Sequence, residues 1–187
     1  MSSAPPADRS PFPADWTVRR ARDAYLAENG FTIAAYDDAW TAISFLGIGM
    51  KIPNTKNHKR AIRFHDLHHV ATGFGTDLVG EWEISAFEVR RGLVHVGLYV
   101  ALIILGLTAM GFVAAPARTL HAFRGAKKAT PLWAMNVDYE TLLDMKVGEL
   151  RALLTVPKSG LAEAPRRLHE RAPRSPTGDK APGAATA

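Results

Sequence analysis

A chain of 187 residues has room for one domain of ordinary size and too little for two. Hydrophobic residues make up 47% of it, which argues for a real core and excludes wholesale disorder. Cysteine is absent, so disulfides, thiolate nucleophiles, iron–sulfur clusters and cysteine zinc fingers are excluded, and any metal must rest on His, Asp and Glu. Of the net charge of +5, +3 falls within residues 157–187, so the rest of the chain is close to neutral and no nucleic-acid partner is expected.

The first fourteen residues, MSSAPPADRSPFPA, contain four prolines and no apolar period, and are expected to form a flexible lead (1–14). No secretory leader is expected, because no apolar stretch follows the start, and Asp8 and Asp15 disfavour a mitochondrial transit peptide. Asp15 is placed to cap a helix from Trp16 to about Glu28, stopped at Asn29-Gly30. A short second helix is expected from Asp37 or Asp38 through Trp40 and Phe45, halted at Gly47 and Gly49. After the turn at Pro53-Asn54, Thr55 opens a charged helix running to about Thr72, and Gly73 and Gly75 break it. Thr76 or Asp77 restarts a helix reaching Arg91. Beyond a long apolar run and a basic link (Arg118 to Lys128), short helices near 139–144 and 147–154 close the domain. Few stretches alternate with period two, so the expected fold is all-α: a single compact helical domain over 15–156, with one long apolar helix and disordered termini. The tail, 157–187, is basic and rich in Pro, Ala and Gly.

Between Gly92 and Ala117 there is no Asp, Glu, Lys or Arg, and His95 is the one residue there that can carry a positive charge. Roughly 20 apolar residues suffice to span a bilayer. Basic residues flank both sides, and the small-residue pairs Gly97/Ala101 and Gly111/Ala115 permit close helix packing. An integral span through 93–117 and a buried or membrane-dipping helix both satisfy the pattern.

The densest chemistry is Arg63-Phe64-His65-Asp66-Leu67-His68-His69. At about 100° per residue, His65, Asp66 and His69 share one stripe of a helix, with His68 off its edge. Two histidines at i and i+4 with a carboxylate between them form half a metal site. Glu81 is a candidate ligand, because the chain can reverse at Gly73 and Gly75 and Glu81 falls in the first turns of the next helix. Glu88 lies two turns along on the same face. It is a candidate hydrogen-bond acceptor for a ligand histidine, a proton carrier, or a solvated partner of Arg90 or Arg91. The bland alternative is a helix surface with solvated histidines, and that reading is kept for His58, His95, His121 and His169.

His65-Asp66-x-x-His69 followed by Glu81 reads H-D-x-x-H-x11-E, and in this it resembles the coenzyme Q (ubiquinone) biosynthesis protein 4 family. Arg63-Phe64, Thr76-Asp77, Gly80-Glu81 and Ala86-Phe87-Glu88 extend the resemblance over roughly 55–92. A weaker one covers 124–154, through Gly125-Ala126-Lys127, Tyr139-Glu140 and Val147-Gly148-Glu149-Leu150-Arg151. The resemblance implies an all-helical, membrane-associated protein with metal ligands His65, Asp66, His69 and Glu81. It also implies removal of the C1 carboxyl of a polyprenylated hydroxybenzoate with hydroxylation at that carbon, or scaffolding of the biosynthetic complex. The implied partners are a polyprenylated quinone precursor or prenyl lipid, the membrane surface at its cytoplasmic face, and other quinone-biosynthesis proteins; a homo-oligomer is expected. Position 68 is His where the family more often carries an aromatic residue. Two imidazoles and two carboxylates suit zinc, manganese or ferrous iron, and iron or manganese suits an oxidative reaction better.

Two further enzyme classes share fragments of the pattern. His65, His68 and His69 spell the H-x-x-H-H box of membrane di-iron desaturases and hydroxylases, but such enzymes need several boxes. An adjacent His-Asp pair also occurs in metal-dependent phosphohydrolases, for which His58 and Asp77 are poor complements. A non-catalytic scaffold whose metal is structural is the remaining alternative.

Overall fold

Among residues 12–45, 48–127 and 130–162, which the computed structural model describes, seven α-helices dominate, as the sequence pattern predicts. Helix α1 (Val18–Asn29) is capped by Thr17, whose hydroxyl accepts from the Arg20 amide, and ends at left-handed Gly30. The expected cap, Asp15, lies two residues too early. A 3-10 turn, Ile33–Asp37, follows.

The next segment departs from the expectation. Residues read as a short helix form an antiparallel hairpin, β1 (Trp40–Phe45) with β2 (Ile48–Pro53), in the register Ile43 opposite Met50. The physical reason is visible in Trp40-Thr41-Ala42-Ile43-Ser44-Phe45, where aromatic and β-branched residues alternate with small ones. Helix-breaking glycine at 49 falls inside β2 rather than after a helix.

The central pair matches the punctuation closely. Helix α2 (Lys56–Thr72) starts at the Thr55 cap and stops at left-handed Gly73; α3 (Leu78–Arg91) starts at the Asp77 cap and stops at Gly92. A β-carbon on Gly80 would stand 2.1 Å from the Gly75 carbonyl oxygen, so only glycine lets the loop lie against the first turn of α3. That contact sets the height of Glu81.

The apolar run 93–117 is not one helix. His95 and Gly97 adopt positive φ (65° and 89°), α4 runs only over Leu98–Ala114, and α5 (Pro116–Gly125) begins after Ala115 leaves the helical conformation at φ −141°, ψ 59°. Proline suits the first turn of a helix and cannot continue one. The expected basic link is therefore largely helical. Among the described residues no helix is long and apolar enough to cross a membrane. Gly111 of α4 lies tight against Trp82 of α3 and Thr119 of α5. Buried Glu83 receives both the Nε and Nη2 donors of Arg118, at 2.9 and 2.6 Å, which ties α5 to α3.

A second 3-10 turn, Leu132–Ala134, and helices α6 (Tyr139–Asp144) and α7 (Val147–Leu153) complete the domain. Leu67, Val70, Ile84, Phe87, Leu142, Leu143 and Leu150 share its core. Arg151 is buried and donates to the carbonyls of Ala71 (3.1 Å), Lys158 (2.9 Å) and Phe12 (2.8 Å), pinning the segments at Phe12 and Lys158 to α2. Phe12 and Leu161 are themselves buried. Most of the expected lead and tail, residues 1–11 and 163–187, lie outside the described residues.

Candidate metal centre

Helices α2 and α3 face each other so that His65, His69 and Glu81 bring one ligand atom each to within 4.8 Å of one another. His65 Nε2 lies 3.1 Å from His69 Nε2 and 3.3 Å from Glu81 Oε2, and His69 Nε2 lies 3.5 Å from Glu81 Oε1. Metal–ligand bonds of about 2.1 Å give ligand–ligand edges of about 3.0 Å in an octahedron and about 3.4 Å in a tetrahedron. The observed separations lie within that range or about 0.1 Å beyond it, so the donor set fits one small divalent cation.

The opposite nitrogens are fixed as such a site requires. His65 Nδ1 donates to Glu88 Oε1 at 2.9 Å, and His69 Nδ1 donates to the Phe74 carbonyl at 3.1 Å. Both rings thereby turn Nε2 toward the common point. Tyr25 stacks on His69, with centroids 5.4 Å apart and planes 23° apart.

Glu88 is 0% exposed. It pairs with neither Arg90 nor Arg91; Oε1 also accepts from His68 Nδ1, at 2.8 Å. Arg91 points to the Leu154 and Thr130 carbonyls instead. His68 is buried in turn, edge-on to Phe87 and Trp133. The His68–Glu88 contact was not read from the sequence, although both residues lie at helical spacing from the motif.

Asp66 takes a different place from the other motif residues. Its Oδ2 accepts from the Tyr36 hydroxyl at 2.5 Å, and Asp66 is not in the group of three. Tyr36 comes from the 3-10 turn after α1, a partner that no local spacing announces.

Burial and charge set the protonation states. Burial pushes His65 down, but the Glu88 and Glu81 carboxylates outweigh it and hold His65 well above its ordinary value. Burial lowers His69 to about 4 and raises Asp66 to about 6. Burial would raise Glu88, yet His65 and His68 hold it at about 2. Glu81 is likewise held down against burial by His69 and His65.

His65, Asp66, Glu81 and Glu88 sit in the wall of an apolar cavity of about 260 Å³ whose other lining includes Leu26, Ala61 and Ile62, while His69 lies behind that wall, outside the lining. Helix α4 forms one side through Val100, Ile103, Ile104 and Leu107, and Phe31, half exposed, lies at the edge. Four lining residues carry a buried polar atom with no hydrogen-bond partner among the described residues: His58 Nδ1, Ser85 Oγ, Glu88 Oε2 and Trp133 Nε1. His58, read from the sequence as an ordinary polar residue, is thus part of the cavity, two helical turns before His65.

A search of curated proteins and a search of solved structures each give no match to the chain. The family model described as coenzyme Q (ubiquinone) biosynthesis protein Coq4 matches residues 58–159. That span takes in α3 and nearly all of α2, with His65, His69 and Glu81, and also α4 and α5, where the sequence resemblance had a gap. The chain belongs to the Coq4 family of ubiquinone biosynthesis proteins.

Proposed function

We propose that the protein binds one divalent cation on His65, His69 and Glu81 and acts on a polyprenylated hydroxybenzoate in the adjoining cavity. The reaction is removal of the C1 carboxyl as carbon dioxide with hydroxylation at that carbon, a two-electron oxidation that balances with dioxygen as oxidant, reduced to hydrogen peroxide, and water supplying the hydroxyl. The observation that carries this reading is the convergence of three potential ligand atoms from two helices, with two of the three residues, His65 and Glu81, lining an apolar cavity. Asp66 lies on the same wall and is the fourth ligand that the family pattern implies. When bound, the cation supplies charge that polarises a carboxylate or phenol oxygen, and iron or manganese also supplies redox chemistry that zinc lacks.

The chain's own residues do the rest. Glu88 orients His65 so that its Nε2 faces the common point and gives up its proton to an incoming cation, while the Phe74 carbonyl orients His69, whose Nε2 is already free. Unpaired buried polar atoms cost about 1–3 kcal/mol each, and Ser85, Glu88, Trp133 and His58 offer both donors and acceptors to an oxygenated ring. At about 260 Å³ the cavity is smaller than the common range of about 300–1,000 Å³. It takes the ring and the start of the tail, and the remaining isoprenes pass out along α4.

The outer face of α4 suits a membrane surface. Val100, Ile104, Thr108 and Gly111 are buried on one side, whereas Leu98, Leu102, Leu105 and Val113 are exposed on the other, Leu102 at 60%. Peripheral docking of this face on the cytoplasmic leaflet would deliver the prenyl substrate without a spanning segment. Other quinone-biosynthesis proteins and a second copy of the chain are the proposed protein partners.

The test is organic extraction of the purified protein for bound prenyl lipid, followed by turnover of metal-loaded protein under oxygen. Turnover that is lost in His65→Ala and Glu81→Ala supports the enzyme. Prenyl lipid bound without turnover makes the protein a carrier or scaffold.

A further inference from the structure

A second cavity, of about 450 Å³, lies beside the N-terminal half of α2 and shares no lining residue with the first. Lys56, Lys59, Arg60 and Arg63 line it, at spacings i, i+3, i+4 and i+7 that put all four on one stripe. This arrangement opposes the helix twice over. Like charges at i+3 and i+4 repel, and the positive end of the helix dipole favours anions there. The first turn of α2 holds no acidic residue to relieve it.

The lining carries two carboxylates, Asp37 and Asp138. Asp37 accepts from Arg63 Nη2 at 3.1 Å, while Asp138 is spent capping α6 through the Glu140 and Thr141 amides. Four cations therefore face two acids. The cationic groups are also held in place: Arg60 Nη2 donates to the Trp133 carbonyl at 2.8 Å, and Lys59 Nζ to the Asp37 carbonyl at 2.5 Å. Arg63 lies over the Tyr36 ring, and its Nε is buried with no hydrogen-bond partner among the described residues.

We infer that this cavity binds a phosphate group, as a free phosphate or diphosphate or as a phosphomonoester lipid headgroup. A dianion balances the excess charge, and guanidinium forks match phosphate oxygens in two-point contacts. The cavity is walled on its far side by Val137 and Tyr139, which suits a compact anion better than a long polymer. A lipid source is within reach, because Lys56 adjoins Leu98 and Tyr99 at the start of α4. The site is also joined to the first cavity, since Tyr36 under Arg63 holds Asp66.

The test uses the full chain, metal-free, titrated calorimetrically with inorganic phosphate and pyrophosphate. In parallel, vesicles of phosphatidylcholine with phosphatidic acid are compared with vesicles carrying phosphatidylserine. Lys59→Gln and Arg63→Gln should each weaken phosphate binding about tenfold. Arg124→Gln, an equal charge change on exposed α5, should leave it within about twofold. Should Arg63→Gln fail to fold, Lys56→Gln and Lys59→Gln carry the same comparison. Binding of soluble phosphate identifies a free ligand; preference for phosphatidic acid without soluble binding identifies a headgroup. No binding in any arm, or equal weakening by Arg124→Gln, overturns the inference.

Discussion

Replacing Glu88 by Gln isolates the residue that links the two halves of the candidate metal centre. Glu88 Oε1 accepts from His65 Nδ1 at 2.9 Å and from His68 Nδ1 at 2.8 Å, with the carboxylate out of contact with water. The substitution keeps shape and one acceptor oxygen but removes the charge. A charged hydrogen bond contributes about 1.5–3 kcal/mol and a neutral one about 0.5–1.5 kcal/mol, so the expected loss is about 1–2 kcal/mol. Transmitted to His65, this weakens the cation by about 5- to 30-fold. Glu88→Ala leaves both Nδ1 atoms unpaired and should weaken it about 100-fold. Affinity is measured by competition with a chromophoric chelator, with circular dichroism as a check on the fold. A sign argument adds a second readout. Glu88 is lowered from 4.5 to about 2 on folding, so its stabilising effect is complete above pH 4.5 and is lost as pH falls toward about 2. The stability gap between wild type and Glu88→Gln should shrink over that interval. Unchanged cation affinity in Glu88→Gln would refute the orienting role.

Further outcomes follow from the same geometry. Gly80→Ala drives a β-carbon into the Gly75 carbonyl, so chemical denaturation should show a loss of about 3 kcal/mol or more, and a loss below about 1 kcal/mol would contradict the packing. His65 is held protonated near neutrality whereas His69 and Glu81 already have their binding forms. Cation binding at pH 7 should therefore release about one proton and strengthen as pH rises, which calorimetry in two buffers of different ionisation enthalpy will count. Release of none, or of two, would contradict those charge states. Leu102→Ser with Leu105→Ser should weaken co-sedimentation with phosphatidylcholine vesicles about tenfold while leaving the melting curve in place, since both side chains are exposed. Unaltered sedimentation would remove α4 as the docking face.

What the sequence made legible was local. Thr55, Gly73, Asp77 and Gly92 bound α2 and α3 because capping chemistry acts within a few residues. The i, i+4 pair of His65 and His69 follows from helical pitch, and the reversal at Gly73 to Gly75 brings Glu81 across. The parts that stayed hidden depend on distant chain. Asp66 shares a helical stripe with His65, yet Tyr36, 30 residues earlier, holds its carboxylate. Glu88 has arginines beside it in sequence, but burial turns it to His65 and His68, and backbone carbonyls of distant segments take Arg91. The hairpin was misread because glycines near the end of a short apolar stretch serve equally as helix stops and as hairpin residues. The apolar run looked continuous because composition does not register a left-handed His95, which splits it before α4 begins.

The central claim is most directly tested by metal stoichiometry on purified full-length protein, measured by plasma mass spectrometry after loading and gel filtration. The account predicts about one divalent ion per chain in the wild type and in Ser85→Ala. It predicts near-complete loss in His65→Ala, His69→Ala and Glu81→Ala, each still folded. Full occupancy in all three ligand variants would contradict it.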